Sequence, residues 1–158
     1  MTEAAMARAM ARAEEVTGTV LVVDDTQDNL KLTVRILQSA GIRCLAASRG
    51  WQCLELLKTN QVDLILLDLL MPRMDGWATL AALRREPATR DIPVIMFTCD
   101  DRYAVRERAM KEGAVDFLSR PVLRERLLAC VQMHLKAVGR ARVIDAIDRE
   151  LDSALHHA

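Results

Sequence analysis

Three carboxylates, a hydroxyl and a guanidinium stand where short apolar runs of this chain end: Asp24-Asp25 after Val20 to Val23, Asp68 after Val62 to Leu67, Thr98 after Ile92 to Phe97, and Arg120 after Val115 to Leu118. Gathered at one point, Asp24, Asp25 and Asp68 would repel one another and hold protons unless a cation lay between them. An oxygen-only donor set suits a hard divalent ion; Mg²⁺ leads, with Mn²⁺ as the alternative, because both keep water positions free for an exchangeable phosphate. Beside such an ion, Asp68 has the chemistry of a carboxylate nucleophile able to carry a phosphoryl group as an acyl phosphate. Phosphoryl transfer needs positioning and neutralised charge more than a strong base. The ion, the Thr98 hydroxyl and the Arg120 guanidinium would then each serve one phosphoryl oxygen.

The elements that must bring these residues together follow from hydropathy. Five apolar runs, the four above and Ile42 to Ala46, alternate with longer amphipathic segments, the pattern of a parallel sheet covered by helices on both faces. In an open sheet of that kind ligands bind beyond the carboxyl ends of the strands, where strand order reverses. Leu30, Val34 and Leu37 fall at helical spacing before a stop at Gly41, and further helices begin near Trp51, Trp77 and Arg102, the last ending at Gly113. Pro121 suits the start of a fifth helix carrying Leu127, Val131, Leu135 and Val138. The reading is an Ala/Met/Arg-rich leader over 1–18 of helix-favouring composition, one domain over 19–136, and an amphipathic helical tail over 137–158.

Composition removes several function classes. Lys plus Arg and Asp plus Glu both number 22, so no net basic charge marks a partner such as nucleic acid or an anionic membrane. No apolar stretch reaches the length of a membrane span, and the leader's arginines are joined by Glu3, Glu14 and Glu15, unlike an organelle transit peptide. Cys44, Cys53, Cys99 and Cys130 show no paired spacing and sit in apolar runs, so they are expected as buried, reduced thiols in a cytoplasmic protein.

Together these residues resemble the receiver domains of two-component response regulators, over roughly residues 19 to 136. The resemblance is carried by Val20-Leu21-Val22-Val23-Asp24-Asp25, by Asp68-Leu69-Leu70-Met71-Pro72-Arg73-Met74-Asp75-Gly76, by Thr98, and by Phe117, which stands where the family carries an aromatic ring that reorients on activation. It implies a flavodoxin-like doubly wound α/β fold, with five parallel strands in the order 2-1-3-4-5, five helices, and here a C-terminal helical extension. It further implies a histidine kinase or phosphotransfer protein as donor, Mg²⁺ held by the three acids and the Leu70 backbone carbonyl, and a phospho-switch that is not an enzyme in the ordinary sense, though it can assist its own phosphorylation and dephosphorylation. Output would leave through the face formed by the domain's helix four, strand five and helix five. One residue departs from the pattern: Ser119-Arg120-Pro121 places an arginine where the family carries lysine. Charge is kept and shape is not, since guanidinium is a planar fork and ammonium a compact point charge. Phosphorylation is expected to survive, with the strength or lifetime of the switch altered.

The remaining candidates take plainer readings. Asp75-Gly76 serves a turn and a helix start; Met71 and Met74 pack; Phe117 also reads as ordinary core; His134 reads as structural or solvent-facing, His156-His157 as a chain end, and Cys99 as buried. The stripe Ile144, Ile147, Leu151 and Leu155 is too apolar to leave bare and could join two copies as a short coiled coil, dock on the chain's own domain, or dock on a partner. The expected function is a stand-alone phospho-switch acting by protein contact, without nucleic acid or membrane; the alternatives are a phosphorylation-independent interaction module and a phosphorelay intermediate.

Overall fold

The computed structural model describes residues 2–14 and 16–157; Glu15, counted above among the leader's acids, lies outside them. The elements run α1 (Glu3–Glu14), β1 (Thr19–Val23), α2 (Gln27–Ser39), β2 (Arg43–Ala47), α3 (Gly50–Thr59), β3 (Leu64–Leu67), α4 (Gly76–Arg85), β4 (Val94–Thr98), α5 (Tyr103–Lys111), β5 (Asp116–Ser119) and α6 (Arg124–His157). The five strands form one parallel sheet in the order β2-β1-β3-β4-β5. β3 and β4 are buried end to end and β1 from Val20 onward, as the unbroken apolar runs require of a sheet covered on both faces.

Alternation along the strands divides the core in two. Leu21, Val23, Ile65, Leu67, Met96 and Phe117 face Cys53, Leu80, Leu83 and Ala109 of α3, α4 and α5. Val20, Val22, Leu64, Leu66, Ile95 and Leu118 face Leu30 and Leu37 of α2 and Leu127, Val131 and Leu135 of α6. Burying each of the Val, Leu, Ile, Met and Phe side chains contributes about 1.5–3 kcal/mol, so the helices are held by their apolar stripes more than by intrinsic propensity.

Four features add to or depart from what the sequence leads one to expect. Arg84 of α4 clamps the far side of the sheet: Nε and Nη2 donate to the Gly113 carbonyl at 3.1 and 2.8 Å, and Nη1 donates to those of Arg90 and Ile92 at 2.9 and 2.8 Å. One side chain thus ties the connections entering β4 and β5. The helix after β5 begins at Arg124, three residues past Pro121, and runs without a break through residue 136 into the tail. The helix-favouring leader forms α1, which lies along α6. Cys99 is exposed, against the expectation of burial, because it follows the last residue of β4 and lies on the rim of the cleft described next; Cys53 is buried and Cys44 and Cys130 are half-buried.

Candidate functional site

Register brings the acids together. Val23 pairs with Leu67 across β1 and β3, so the next residue of each strand, Asp24 and Asp68, emerges side by side at the carboxyl edge of the sheet. The Asp68 amide donates to the Val23 carbonyl at 3.0 Å and the Asp24 amide to that of Ala47 at 3.1 Å, which fixes both backbones. One oxygen each from Asp24, Asp25 and Asp68 can be chosen so that all three lie within 4.8 Å of one another. Asp24 and Asp68 are buried and Asp25 is half-exposed, so the cluster opens to solvent on one side. Asp25, Asp68, Leu70, Cys99 and Arg120 contribute to the walls of a cleft of about 560 Å³ at this edge. A larger hollow of about 860 Å³ at the opposite edge, around Gly18 and Asp63, gathers no such carboxylates.

Burial, the largest influence, pushes the Asp68 carboxyl above the ordinary range; the Leu70 amide opposes this, Asp24 adds to it, and Arg120 and the Thr98 hydroxyl oppose it more weakly. The Leu70 amide donates to Asp68 Oδ1 at 3.3 Å, while the Leu70 side chain is turned to solvent. Thr98 is fully buried at the end of β4, and the Arg120 amide donates to its carbonyl at 2.9 Å, locking the ends of β4 and β5 together. Asp75 caps α4, its Oδ1 accepting from the Ala78 amide at 2.8 Å, which is the turn-and-cap role read from its position. Phe117 is buried in the core, its ring 4.7 Å below the Arg106 guanidinium.

Arg120 reaches the acid cluster and contacts the acids themselves. Its Nη1 lies 2.5 Å from Asp24 Oδ2 and 3.8 Å from Asp68 Oδ2, and its guanidinium stacks 4.0 Å above the Phe97 ring. The Asp24 contact is ionic without hydrogen-bond alignment, for Oδ2, which is completely buried, has no hydrogen-bond partner. The other oxygen, Oδ1, accepts from the Thr26 amide at 2.9 Å. A buried carboxylate oxygen lacking a hydrogen bond, within reach of two other carboxylates, is what a bound cation would satisfy. The donors are all oxygen, so the residues present fit Mg²⁺ or Mn²⁺.

The comparisons with known proteins agree with this arrangement. A family model described as "Response regulator receiver domain" matches residues 20–132, so the chain belongs to the response regulator receiver domain family. It is therefore of the class that works as a switch in two-component signalling, and receiver domains bind Mg²⁺ at such an acidic pocket. Among its relatives, the hybrid signal transduction protein dokA of Dictyostelium discoideum is 37% identical over 109 residues, covering 68% of this chain and 6% of the relative. The response regulator PleD of Caulobacter vibrioides is 36% identical over 103 residues, covering 65% of this chain and 23% of PleD. The chain thus spans only a small part of either protein. The receiver domain of the Francisella response regulator 1452 superposes with a TM-score of 0.71 at 29% identity, over 76% of this chain and 98% of that one. The sheet order read from the resemblance is the observed one, and among the described residues no helix is long and apolar enough to cross a membrane.

Proposed function

We propose that the chain is a single-receiver response regulator of the cytoplasm that accepts a phosphoryl group on Asp68 from a histidine kinase or phosphotransfer protein and signals through protein contacts. The convergence of Asp24, Asp25 and Asp68 about the buried Asp24 Oδ2 carries this reading. Asp24, Asp25, Asp68 and the Leu70 carbonyl would hold Mg²⁺, which when bound supplies the positive charge that neutralises the phosphoryl oxygens. Asp68 offers a carboxylate oxygen to phosphorus as the bond from phosphorus to the donor breaks, and Thr98 offers its hydroxyl to a phosphoryl oxygen. Phe117, buried beneath the surface formed by α5, β5 and α6, would relay the change to a partner. A direct test is beryllium fluoride with Mg²⁺, followed by fluorine NMR: a bound fluoride signal that vanishes in Asp68→Ala supports the reading. No bound signal from the wild type favours the phosphorylation-independent module.

Arg120 gives the site its own character. A guanidinium held on the Phe97 ring and directed at Asp24 competes with the metal for the same buried oxygen. A lysine keeps the charge but loses the planar stack. Arg120→Lys is therefore expected to tighten Mg²⁺ binding by roughly threefold to tenfold, as loss of a ~1 kcal/mol cation–π stack that holds the competing cation over Asp24 implies. Calorimetric titration of both proteins with Mg²⁺ checks this; equal or weaker binding by the lysine variant would remove Arg120 as a competitor.

Self-association through the tail is a second element of the proposal. Ile144, Leu151 and Leu155 are exposed along α6, with Ile147 half-buried between them, an apolar line on an otherwise charged helix. A dimer formed by this line would dissociate when Ile144, Leu151 and Leu155 are replaced by Gln together. Sedimentation equilibrium showing a monomer for both proteins would contradict it.

A further inference from the structure

A second group of metal-binding side chains lies away from the acid cluster, where the edge strand β5 meets α6. Asp116 of β5 is on the same face of the sheet as Leu118 and points toward α6. Cys130 and His134 of α6 are one turn apart, on a flank of the helix beside its buried Leu127–Val131–Leu135 stripe. His134 Nε2 is 2.8 Å from Asp116 Oδ2, and Cys130 Sγ donates to that same oxygen at 3.4 Å. One carboxylate oxygen thus receives both a thiol and an imidazole. Ligand atoms of the three residues all lie within 4.8 Å of one another. Asp116 Oδ1 is held by the Phe117 amide at 2.8 Å, which fixes the carboxylate.

We propose that Asp116, Cys130 and His134 form a binding site for Zn²⁺, with water completing a tetrahedral shell. Thiolate, imidazole and carboxylate are the three donor types that zinc takes, and two of them one helical turn apart on a single helix, with the third from a neighbouring strand, make a compact three-ligand site. The set differs in kind from the all-oxygen cluster at Asp24, Asp25 and Asp68, so hard and borderline ions sort between the two sites by chemistry. Solvent reaches this one: the His134 and Asp116 side chains are 17% and 35% exposed, which leaves an entry path and room for the water. Without metal, burial foremost and then the neighbouring Asp116 carboxylate push the Cys130 thiol up to about 12, so it is unreactive; metal binding would release its proton to solvent and bind sulfur as thiolate. A bound ion would tie β5 to α6 next to Phe117.

Co²⁺ titration of the full chain in saturating Mg²⁺ tests the site. The wild type is expected to show a near-ultraviolet thiolate-to-cobalt band and visible absorption of tetrahedral intensity, both removed by one equivalent of Zn²⁺. Cys130→Ser should abolish the band, and His134→Ala should weaken Zn²⁺ at least about tenfold by competition with a chromophoric chelator. Unchanged Mg²⁺ binding and circular dichroism in both variants would show that the fold and the acid cluster are intact. Absence of a thiolate band in the wild type, its persistence in Cys130→Ser, or unchanged Zn²⁺ affinity in His134→Ala would each overturn the proposal.

Discussion

Asp68→Asn is expected to abolish phosphoryl uptake and, in metal-free buffer at neutral pH, to raise the unfolding temperature. The first effect follows from loss of the carboxylate that takes the phosphoryl group, the second from the burial of that carboxylate. Desolvation, with repulsion from Asp24, raises the Asp68 pKa above its unfolded value, and the bonds from Leu70, Arg120 and Thr98 do not cancel the rise. A raised carboxyl pKa means that the native state prefers the protonated form, so the favourable contribution is present below the usual aspartate range and is lost as pH climbs through the raised value. At neutral pH the wild type therefore folds against the cost of a buried charge that asparagine lacks. A gain of about 2–4 °C, corresponding to ~1 kcal/mol in a domain of this size, is expected by calorimetry. The gain should shrink below the ordinary aspartate range and shrink again in saturating Mg²⁺. An asparagine variant less stable than wild type at neutral pH would show that Arg120 more than offsets the burial.

Gly76→Ala is expected to lower stability by about 2–3 kcal/mol and to impair the site from outside it. A Cβ built on Gly76 would stand 2.3 Å from the Asp68 carbonyl oxygen and 2.6 Å from Leu69 Cα. Both neighbours are backbone, so no side chain can swing aside; the loop that carries Asp68 has to move, and the 3.0 Å bond from the Gly76 amide to the Leu69 carbonyl goes with it. Gly41→Ala is the control. Gly41 has φ +79° and nothing within 4 Å of an added Cβ, so its substitution carries only the left-handed backbone penalty of ~1–2 kcal/mol and leaves the acid cluster in place. The signature to look for by urea unfolding and Mg²⁺ titration is weakened metal binding in Gly76→Ala alone. Equal metal affinity in both variants would mean that the loop absorbs the methyl without shifting Asp68.

The parts of the molecule that could be read directly were those governed by short-range pattern. Unbroken apolar runs marked the strands to within a few residues, and polar residues at their carboxyl ends gave the site, because a parallel sheet aligns strand ends by register and Val23 beside Leu67 leaves Asp24 beside Asp68. The sheet order came from the family resemblance, since periodicity alone does not order strands. What escaped was set by packing between distant segments. Arg84 lies in a helical segment whose spacing says nothing of the carbonyls of two separate loops that its fork fits. Arg120 was expected to await a phosphoryl oxygen, but a flexible guanidinium next to an aromatic ring and a buried carboxylate settles on both. His134 reads from the sequence as structural or solvent-facing, and its nearness to Asp116 and Cys130 depends on how α6 lies over the edge strand, which no local spacing reveals.

The central claim is that Asp68, beside Asp24 and Asp25, carries the phosphoryl group. Acetyl phosphate and Mg²⁺ are added to the protein, the product is reduced with borohydride, and the peptides are mapped by mass spectrometry. An acyl phosphate at Asp68 is converted to homoserine, so the peptide spanning Asp68 should contain homoserine at that position, and Asp24→Asn with Asp25→Asn should suppress it. Homoserine at another aspartate, or none at Asp68 when donor and Mg²⁺ are saturating, would contradict the account.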